Sequence, residues 1–340
     1  MGSVKDLKVL KQANEQSLGL GRFTFSDRYS VFDWGEMPDK ISYKGAAIAI
    51  LGAYFFEKLE SMGIDTHYLG LVENDEAKPL SELNVNSDTM EIKLLRVIRP
   101  QVVDGKYDYS PYKHQKVGFL IPLEIIYRNY LPPGSSVFRR LERGEITPQD
   151  LGLNSMPVPN QKLDKPIIDF STKLEITDRY INYEEAKEIS GLSTEEMNSI
   201  VEITNTINQL ITDEFSKIGL VNEDGKIEVG FNMNRKIMLV DVFGTLDECR
   251  FTYKGIPISK EIARIHYRKS QWYNEVEKAK RIDRQNWKKI CILKPEPLPK
   301  KLVDLISQIY CSCTNEITKR EWFKNIPPFE NILKEIQDLI

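Results

Sequence analysis

Asn222-Glu223-Asp224-Gly225-Lys226-Ile227-Glu228-Val229-Gly230-Phe231, followed by Asn234-Arg235 and then Lys236 to Phe243, is the stretch that decides the fold. Asn222 to Gly225 reads as a turn, Lys226 to Phe231 as a strand of period two, Asn234-Arg235 as a second turn and Lys236 to Phe243 as the returning strand. Side chains alternate across a strand, so Ile227, Val229 and Phe231 share the core face, while Lys226 and Glu228 stand together on the other, about 7 Å apart. Upstream, Ser193 and Glu196 form a capping box. Met197, Ile200, Val201, Ile207, Leu210, Ile211 and Phe215 then recur at helical spacing as far as Gly219. A long helix feeding an antiparallel hairpin places the chain in the α+β class.

Working outward, Glu91 to Tyr130 is rich in Ile, Leu, Val and Tyr and broken at Asp104-Gly105, which suggests further antiparallel strands joined by turns. One helix is expected at residues 45–61. Its apolar run, Gly45 to Phe56, lies between Lys44 and Lys58 and is far short of the ~20 residues of a membrane span. The length of 340 residues exceeds the size at which a single core stops growing. Proline clusters at Pro132-Pro133, Pro157 to Pro159, Pro295 to Pro299 and Pro327-Pro328 punctuate ordered segments. The divisions are residues 1–119, a β-rich domain; 120–284, an α+β domain; and 285–340, a helical extension packed on the second domain.

The charges nearly cancel, 47 Lys+Arg against 50 Asp+Glu, so the overall field advertises neither nucleic acid nor an anionic membrane. Any anion must be held by a local cluster. No secretory signal opens the chain, which makes the cytoplasm the natural compartment; a homo-oligomer stays open. Cys249, Cys291, Cys311 and Cys313 show no paired framework, and Cys311-Ser312-Cys313 without a second ligand pair reads as buried thiols.

Asp241, at the end of the returning strand, comes within reach of Glu228. Two carboxylates beside a lysine suit a magnesium–nucleotide site, although alternation with charged outer residues is equally the pattern of a solvated sheet face. Arg128 followed by Pro132-Pro133-Gly134-Ser135-Ser136 looks like a phosphate cradle, a guanidinium fork beside short N–H and hydroxyl donors; the alternative is a Pro-Gly turn with an exposed arginine. No Gly-x-x-x-x-Gly-Lys-Ser/Thr, Gly-x-Gly-x-x-Gly or His-Glu-x-x-His occurs. His67, His114 and His266 are scattered, with no nucleophile signature beside them.

In order, these segments resemble the SAICAR synthetase (phosphoribosylaminoimidazole-succinocarboxamide synthase) family over most of residues 1–270. Gly2-Ser3-Val4-Lys5-Asp6 is similar to its N-terminal loop, and Ser26-Asp27-Arg28-Tyr29-Ser30-Val31-Phe32-Asp33 with Met37-Pro38-Asp39 and Lys44-Gly45-Ala46 to its signature. Pro122 to Asn129 with Gly134-Ser135, Ser171-Thr172-Lys173-Leu174-Glu175, Asp224 to Gly230, Asp241 to Arg250, and Ser259 to Arg264 follow in register. The chain departs from the pattern at Ser3, Thr177, Val242, Glu248 and Cys249.

The resemblance implies an antiparallel kinase-like first domain, an ATP-grasp-like second one, and a ligase joining L-aspartate to the carboxylate of carboxyaminoimidazole ribotide (CAIR) with ATP and Mg²⁺. It implies Glu228 and Asp241 as metal ligands, Lys5 and Lys226 at nucleotide phosphates or the reacting carboxylate, and Lys173 on the ATP or aspartate side. Arg128, Ser135 or its neighbour Ser136, and Arg250 would hold the ribotide phosphate. Asp224 and Asp247 would position sugar hydroxyls, imidazole or amine; Asp178 continues the Thr-Lys segment on the substrate side; Lys260 and Arg264 would complete an anion-binding wall. Adenine would lie against backbone near Phe119 and Leu120. A small-metabolite kinase sharing the nucleotide site and a non-enzymatic nucleotide sensor are the competing readings.

Overall fold

Strands β1 (Lys5–Lys11) and β2 (Gly19–Phe25) open the chain as an antiparallel pair. The structure, a computed structural model, describes residues 4–258, 260–284 and 286–339; Gly2, Ser3 and Ser259, quoted above, lie outside them. Helix α1 (Lys44–Ser61) follows, then β3 (Tyr68–Glu73), β4 (Glu76–Lys78) and β5 (Thr89–Leu94), giving a five-stranded antiparallel sheet of order β1-β2-β5-β3-β4. The expected Asp104-Gly105 turn joins a small hairpin, β6 (Gln101–Val103) and β7 (Lys106–Asp108). Helix α1 is apolar nearly all round because it is covered on both sides, by the sheet and by a C-terminal helix described below. Gly45 is required at its start: a Cβ there would meet the Phe25 carbonyl oxygen at 2.4 Å. The Asp27 carboxylate accepts from the Gly45 N–H at 3.0 Å, so the most recognisable motif of the chain caps this helix.

The second sheet has the order β10-β9-β8-β11-β13-β14, with a further strand on β11. It is built from β8 (Phe119–Leu131), β9 (Gln161–Thr172), β10 (Tyr180–Ile181), β11 (Val221–Phe231), β12 (Ile237–Val240), β13 (Cys249–Tyr253) and β14 (Ile256–Pro257). Helix α2 (Ser136–Glu142) leaves β8, and α3 (Tyr183–Ser190) precedes α4 (Thr194–Ser216), which begins with the expected Ser193/Glu196 capping box. Phe215 of α4 stacks on Phe251 of β13, centroids 3.9 Å apart.

The reading of Asn222 to Gly225 as a turn is overturned. Strand β11 begins at Val221, with a register irregularity between Asn222 and Asp224. Turn-type residues enter the sheet here because their polar side chains find buried partners. The Asn222 amide donates to Thr212 at 3.0 Å and Asn208 at 3.1 Å of α4, and Asp224 pairs with two arginines. Gly225 is the one residue that fits between Tyr127 and Cys249: a Cβ would lie 2.4 Å from the Tyr127 hydroxyl.

Helices α5 (Lys260–Arg268), α6 (Gln271–Ile282), α7 (Trp287–Ile290), α8 (Lys300–Thr318) and α9 (Phe329–Gln337) complete the chain. The extension was expected on the second domain, but α8 packs on α1 of the first. Thr314 donates to the Ala47 carbonyl, Ser307 to that of Ser42, and Arg320 reaches the Leu80 carbonyl at 2.9 Å. The second domain is also touched, by Glu330 accepting from Tyr253 at 2.9 Å. The reason is area: α1 leaves an apolar flank that no strand covers, and Leu302, Leu305, Ile306 and Ile309 are all at least nine-tenths buried. Cys311 and Cys313 are buried beside them as free thiols. Among the described residues, no helix is long and apolar enough to cross a membrane.

Candidate functional site

One cleft of about 1120 Å³ opens over the outer face of the second sheet. Its floor is β8 and β11, its far wall the loop after β12 with α5, and its mouth Phe32 and Asp33. Of the residues singled out from sequence, Arg128, Ser135, Asp178, Asp224, Lys226, Asp247, Arg250, Lys260 and Arg264 line it.

At one end Lys226, Glu124 and Glu248 of the lining lead into a lysine–carboxylate cluster; its other members, Glu228, Asp241, Lys5 and Lys173, stand behind the lining. Glu228 pairs in register with Glu124 on β8 and Val240 on β12, so Asp241 is the next residue past its neighbour. Lys173, at the end of β9, donates to Glu228 Oε1 at 2.6 Å; Lys226 reaches Glu228 and Glu124 at 3.2 Å each, and Glu248 at 3.4 Å. Glu228 is only 4% exposed. Burial alone would raise its carboxyl, but Lys226, Lys173 and Lys5 outweigh it and hold the group below the usual carboxylate range. For Lys226, burial is likewise overcome by Glu248, Glu228 and Glu124, which raise the ammonium well above its ordinary value. Lys5 is ion-paired with Asp241 and sits 4.6 Å from the Phe23 ring centre. Burial pushes its ammonium down to about 8, Lys226 and Lys173 push the same way, and Glu248 and Glu228 resist.

At the other end the cations are arginines. Arg128, 1% exposed, lies between Asp169 at 3.2 Å and Asp224 at 3.3 Å, and also donates to Ser136 at 3.2 Å and the Tyr180 hydroxyl at 3.3 Å. Arg250 forks onto Asp224, with Nε to Oδ1 at 2.7 Å. Ser135 caps α2 by accepting from the Val137 N–H. The exposed-arginine alternative for Arg128 is therefore excluded: its fork is committed to buried carboxylates and to the serines of the loop.

Between the ends, Asp178 faces the cleft with its carboxyl pushed up to about 6 by burial and by Glu124. Arg264 is paired with Glu261 at 2.9 Å, and Lys260 donates to the Asp247 carbonyl at 2.6 Å. Asp247 is 8% exposed, and its carboxylate is turned to Lys44 and Tyr310.

Phe119 and Leu120 stand where the two sheets meet, but their backbone is occupied. The Leu120 N–H donates to the Arg96 carbonyl at 2.9 Å, and the Phe119 ring is in the core against Phe231. The side chains here are apolar: Leu120 forms a small buried cluster with Met238 and Val240, flanked by half-buried Leu18 and Leu95.

Residues 8–280 match the family model described as SAICAR synthetase. The chain belongs to the SAICAR synthetase family. A protein of Archaeoglobus fulgidus, described as a candidate phosphoribosylaminoimidazole-succinocarboxamide synthase, is 49% identical over 340 residues, covering 100% of both chains. The phosphoribosylaminoimidazole-succinocarboxamide synthase of Thermoplasma acidophilum is 31% identical over 309 residues, covering 88% of this chain and 93% of its own. In solved structures, the fold is shared with the SAICAR synthase of Saccharomyces cerevisiae complexed with SAICAR, with a TM-score of 0.64 at 20% identity over 95% of this chain and 94% of that one. It is shared too with a Type-2 SAICAR synthetase in complex with ADP, at a TM-score of 0.56 and 24% identity over 87% of this chain and 99% of that one.

Several members of these two clusters were not singled out from sequence. Glu124 was legible, as a lone acid on the Arg128 face of an apolar strand, two steps of period two away. Glu248 was visible only as a departure from the family pattern. Arg140, which donates to Asp169 at 2.5 Å and stacks 4.4 Å from the Tyr180 ring centre, carried no sequence signal, because its partners come from β9 and β10.

Proposed function

We propose that this chain is a cytoplasmic ligase that joins L-aspartate to the carboxylate of CAIR, consuming ATP and releasing ADP and phosphate. The observation that carries the reading is the placement of two unlike cation clusters along one strand. Asp224, with Arg128 and Arg250, is four residues from Glu228, with Lys173 and Lys226, about 13 Å of extended chain. A ribotide can lie between them, its phosphate at the arginine end, where Ser135 and Ser136 add hydroxyls, and its carboxylate at the lysine end.

A carboxylate is a poor electrophile and has to be activated. Its oxygen attacks the terminal phosphorus of ATP, the bond to ADP breaks, and an acyl phosphate results. The aspartate amine then attacks the acyl carbon; the C–N bond forms, the C–O bond to phosphate breaks, and the departing phosphate carries off a proton. Lys5, Lys173 and Lys226 gather the phosphoryl and carboxylate charge, with Asp178 beside them on the substrate side, while Lys260 and Arg264 face the dicarboxylic amino acid from the opposite wall. Asp224 and Asp247 orient the ribotide's hydroxyl or amine groups, and the apolar surface at Leu120 receives the adenine.

The residues present fit a magnesium ion of limited protein coordination. Among the described residues no cage of three or more His, Cys, Asp or Glu side chains converges, and Glu228 and Asp241 are paired with lysines. Magnesium ordinarily takes one or two carboxylates and completes its shell from phosphates and water, so Glu228 and Asp241 are the ligands this chain would supply. The ion would neutralise charge on the phosphates during transfer.

The test is ADP formation by purified protein with ATP, Mg²⁺ and CAIR, with and without L-aspartate, and detection of the succinocarboxamide. Aspartate-dependent ADP and product establish the ligase; ADP formed regardless of aspartate points to a kinase, and ATP binding without turnover to a sensor.

A further inference from the structure

The family-matched segment ends at residue 280, yet a residue thirty positions later holds a side chain that lines the cleft. Tyr310, on α8, donates its hydroxyl proton to Asp247 Oδ1 at 2.5 Å. The other carboxylate oxygen faces the Lys44 ammonium at 2.8 Å, a charge contact lacking hydrogen-bond alignment. Among the described residues, Tyr310 is thus the one aligned side-chain donor to this carboxylate. The Asp247 carbonyl in turn accepts from Lys260, whose ammonium borders the cleft.

All of this is buried. Lys44 is 0% exposed, Tyr310 2% and Asp247 8%. Packing α8 against α1 already has apolar volume from Leu302, Ile306, Ile309 and Cys313 and hydrogen bonds from Ser307 and Thr314, and a phenylalanine would fill the place of Tyr310. Burying an ion pair with a hydroxyl seldom adds net stability over an apolar equivalent. Lys44 also opens α1, the helix end where a cation is disfavoured by the peptide dipoles. An arrangement that gains little stability but fixes one carboxylate from two elements, α1 and α8, and its main-chain carbonyl from a third, α5, is a positioning device.

Resting on the ligase reading, we propose that Tyr310 is a positioning residue for the reaction. It fixes the Asp247 carboxylate, and through the Asp247 main chain the Lys260 ammonium, so that helix α8 completes the wall against which CAIR and aspartate are held.

The test is steady-state kinetics of full-length Tyr310→Phe, with each substrate varied in turn and thermal unfolding recorded alongside. Loss of a hydrogen bond to a charged group should lower kcat/KM for CAIR and aspartate about tenfold or more, with KM for ATP within about twofold of wild type. Ile309→Val loosens the same helix while leaving the hydroxyl in place, and should keep all three KM values. Wild-type kinetics in Tyr310→Phe, or equal KM changes in both variants, would overturn the positioning role while leaving the ligase intact. Failure of the wild-type protein to form the succinocarboxamide would instead remove the reading on which the role rests.

Discussion

The two ends of the cleft use the same strand and opposite kinds of cation. At the Glu228 end, lysine ammoniums gather around carboxylates, and burial lowers the proton affinity of each: for Lys226 the neighbouring Glu248, Glu228 and Glu124 overcome it and raise the ammonium, whereas Lys5 is left down at about 8. At the Asp224 end, arginines fork onto Asp224 and Asp169, and hydroxyls from the Ser135-Ser136 loop close the shell. An ammonium is a compact charge on a flexible stem and suits a place where phosphoryl charge shifts during reaction. A guanidinium is planar, permanently charged and geometrically fixed, and suits a group that is only held. On the proposed reading, one end serves transfer and the other anchorage.

The comparison would break most sharply at Glu228. Glu228→Gln should lower kcat on the order of a thousandfold, as for loss of a group that stabilises transition-state charge, with an unchanged circular dichroism spectrum. Near-normal turnover would show that the lysine end is not where chemistry occurs. Next in size is Arg128→Ala, expected to raise KM for CAIR by the ~1.5–3 kcal/mol of a charge-assisted contact, with KM for ATP unaffected. Asp169 keeps Arg140 and Asp224 keeps Arg250, so urea unfolding should show only the loss of charge-assisted hydrogen bonds, about 1.5–3 kcal/mol. Arg128→Lys should rescue little, since a point charge cannot bridge two carboxylates and two serines.

A smaller effect separates the ends by pH. On the proposed reading Lys5 holds phosphate, which it can do only when protonated, and its lowered value means that the proton leaves as pH rises through about 8. In the free enzyme kcat/KM for ATP should therefore fall about tenfold per pH unit above that point, and Lys5→Arg should remove this limb. A profile flat to pH 10 would take Lys5 out of the nucleotide site. Smallest of all, Cys311→Ser with Cys313→Ser should leave every KM and the metal content unchanged, lowering stability by about 1 kcal/mol per site. Metal loss would overturn their reading as inert buried thiols.

The readable parts of the fold were those with a strong local period. The capping box and heptad-like run of α4, the Asp104-Gly105 hairpin and the Lys226 to Phe231 alternation all appear where expected. Asn222 to Gly225 misled because a run of turn-forming side chains was in fact satisfied by distant partners, Arg128 and Arg250 donating to Asp224 and Thr212 accepting from Asn222. The extension misled for the converse reason: its apolar face was evident, but the surface it covers, on α1, lies some 250 positions earlier in the chain.

By itself, the sequence determined the class of elements, the order of the motifs and the chemistry available, because period, capping and residue type are local properties and the motif order carries the family resemblance. Only the tertiary structure decided which charges meet. Glu124 joins Glu228 through strand register, Asp169 and Asp224 share Arg128 across adjacent strands, and Asp247 is held from α1 and α8 together. Such pairings depend on burial and on distances between residues far apart in the chain, which no local pattern encodes.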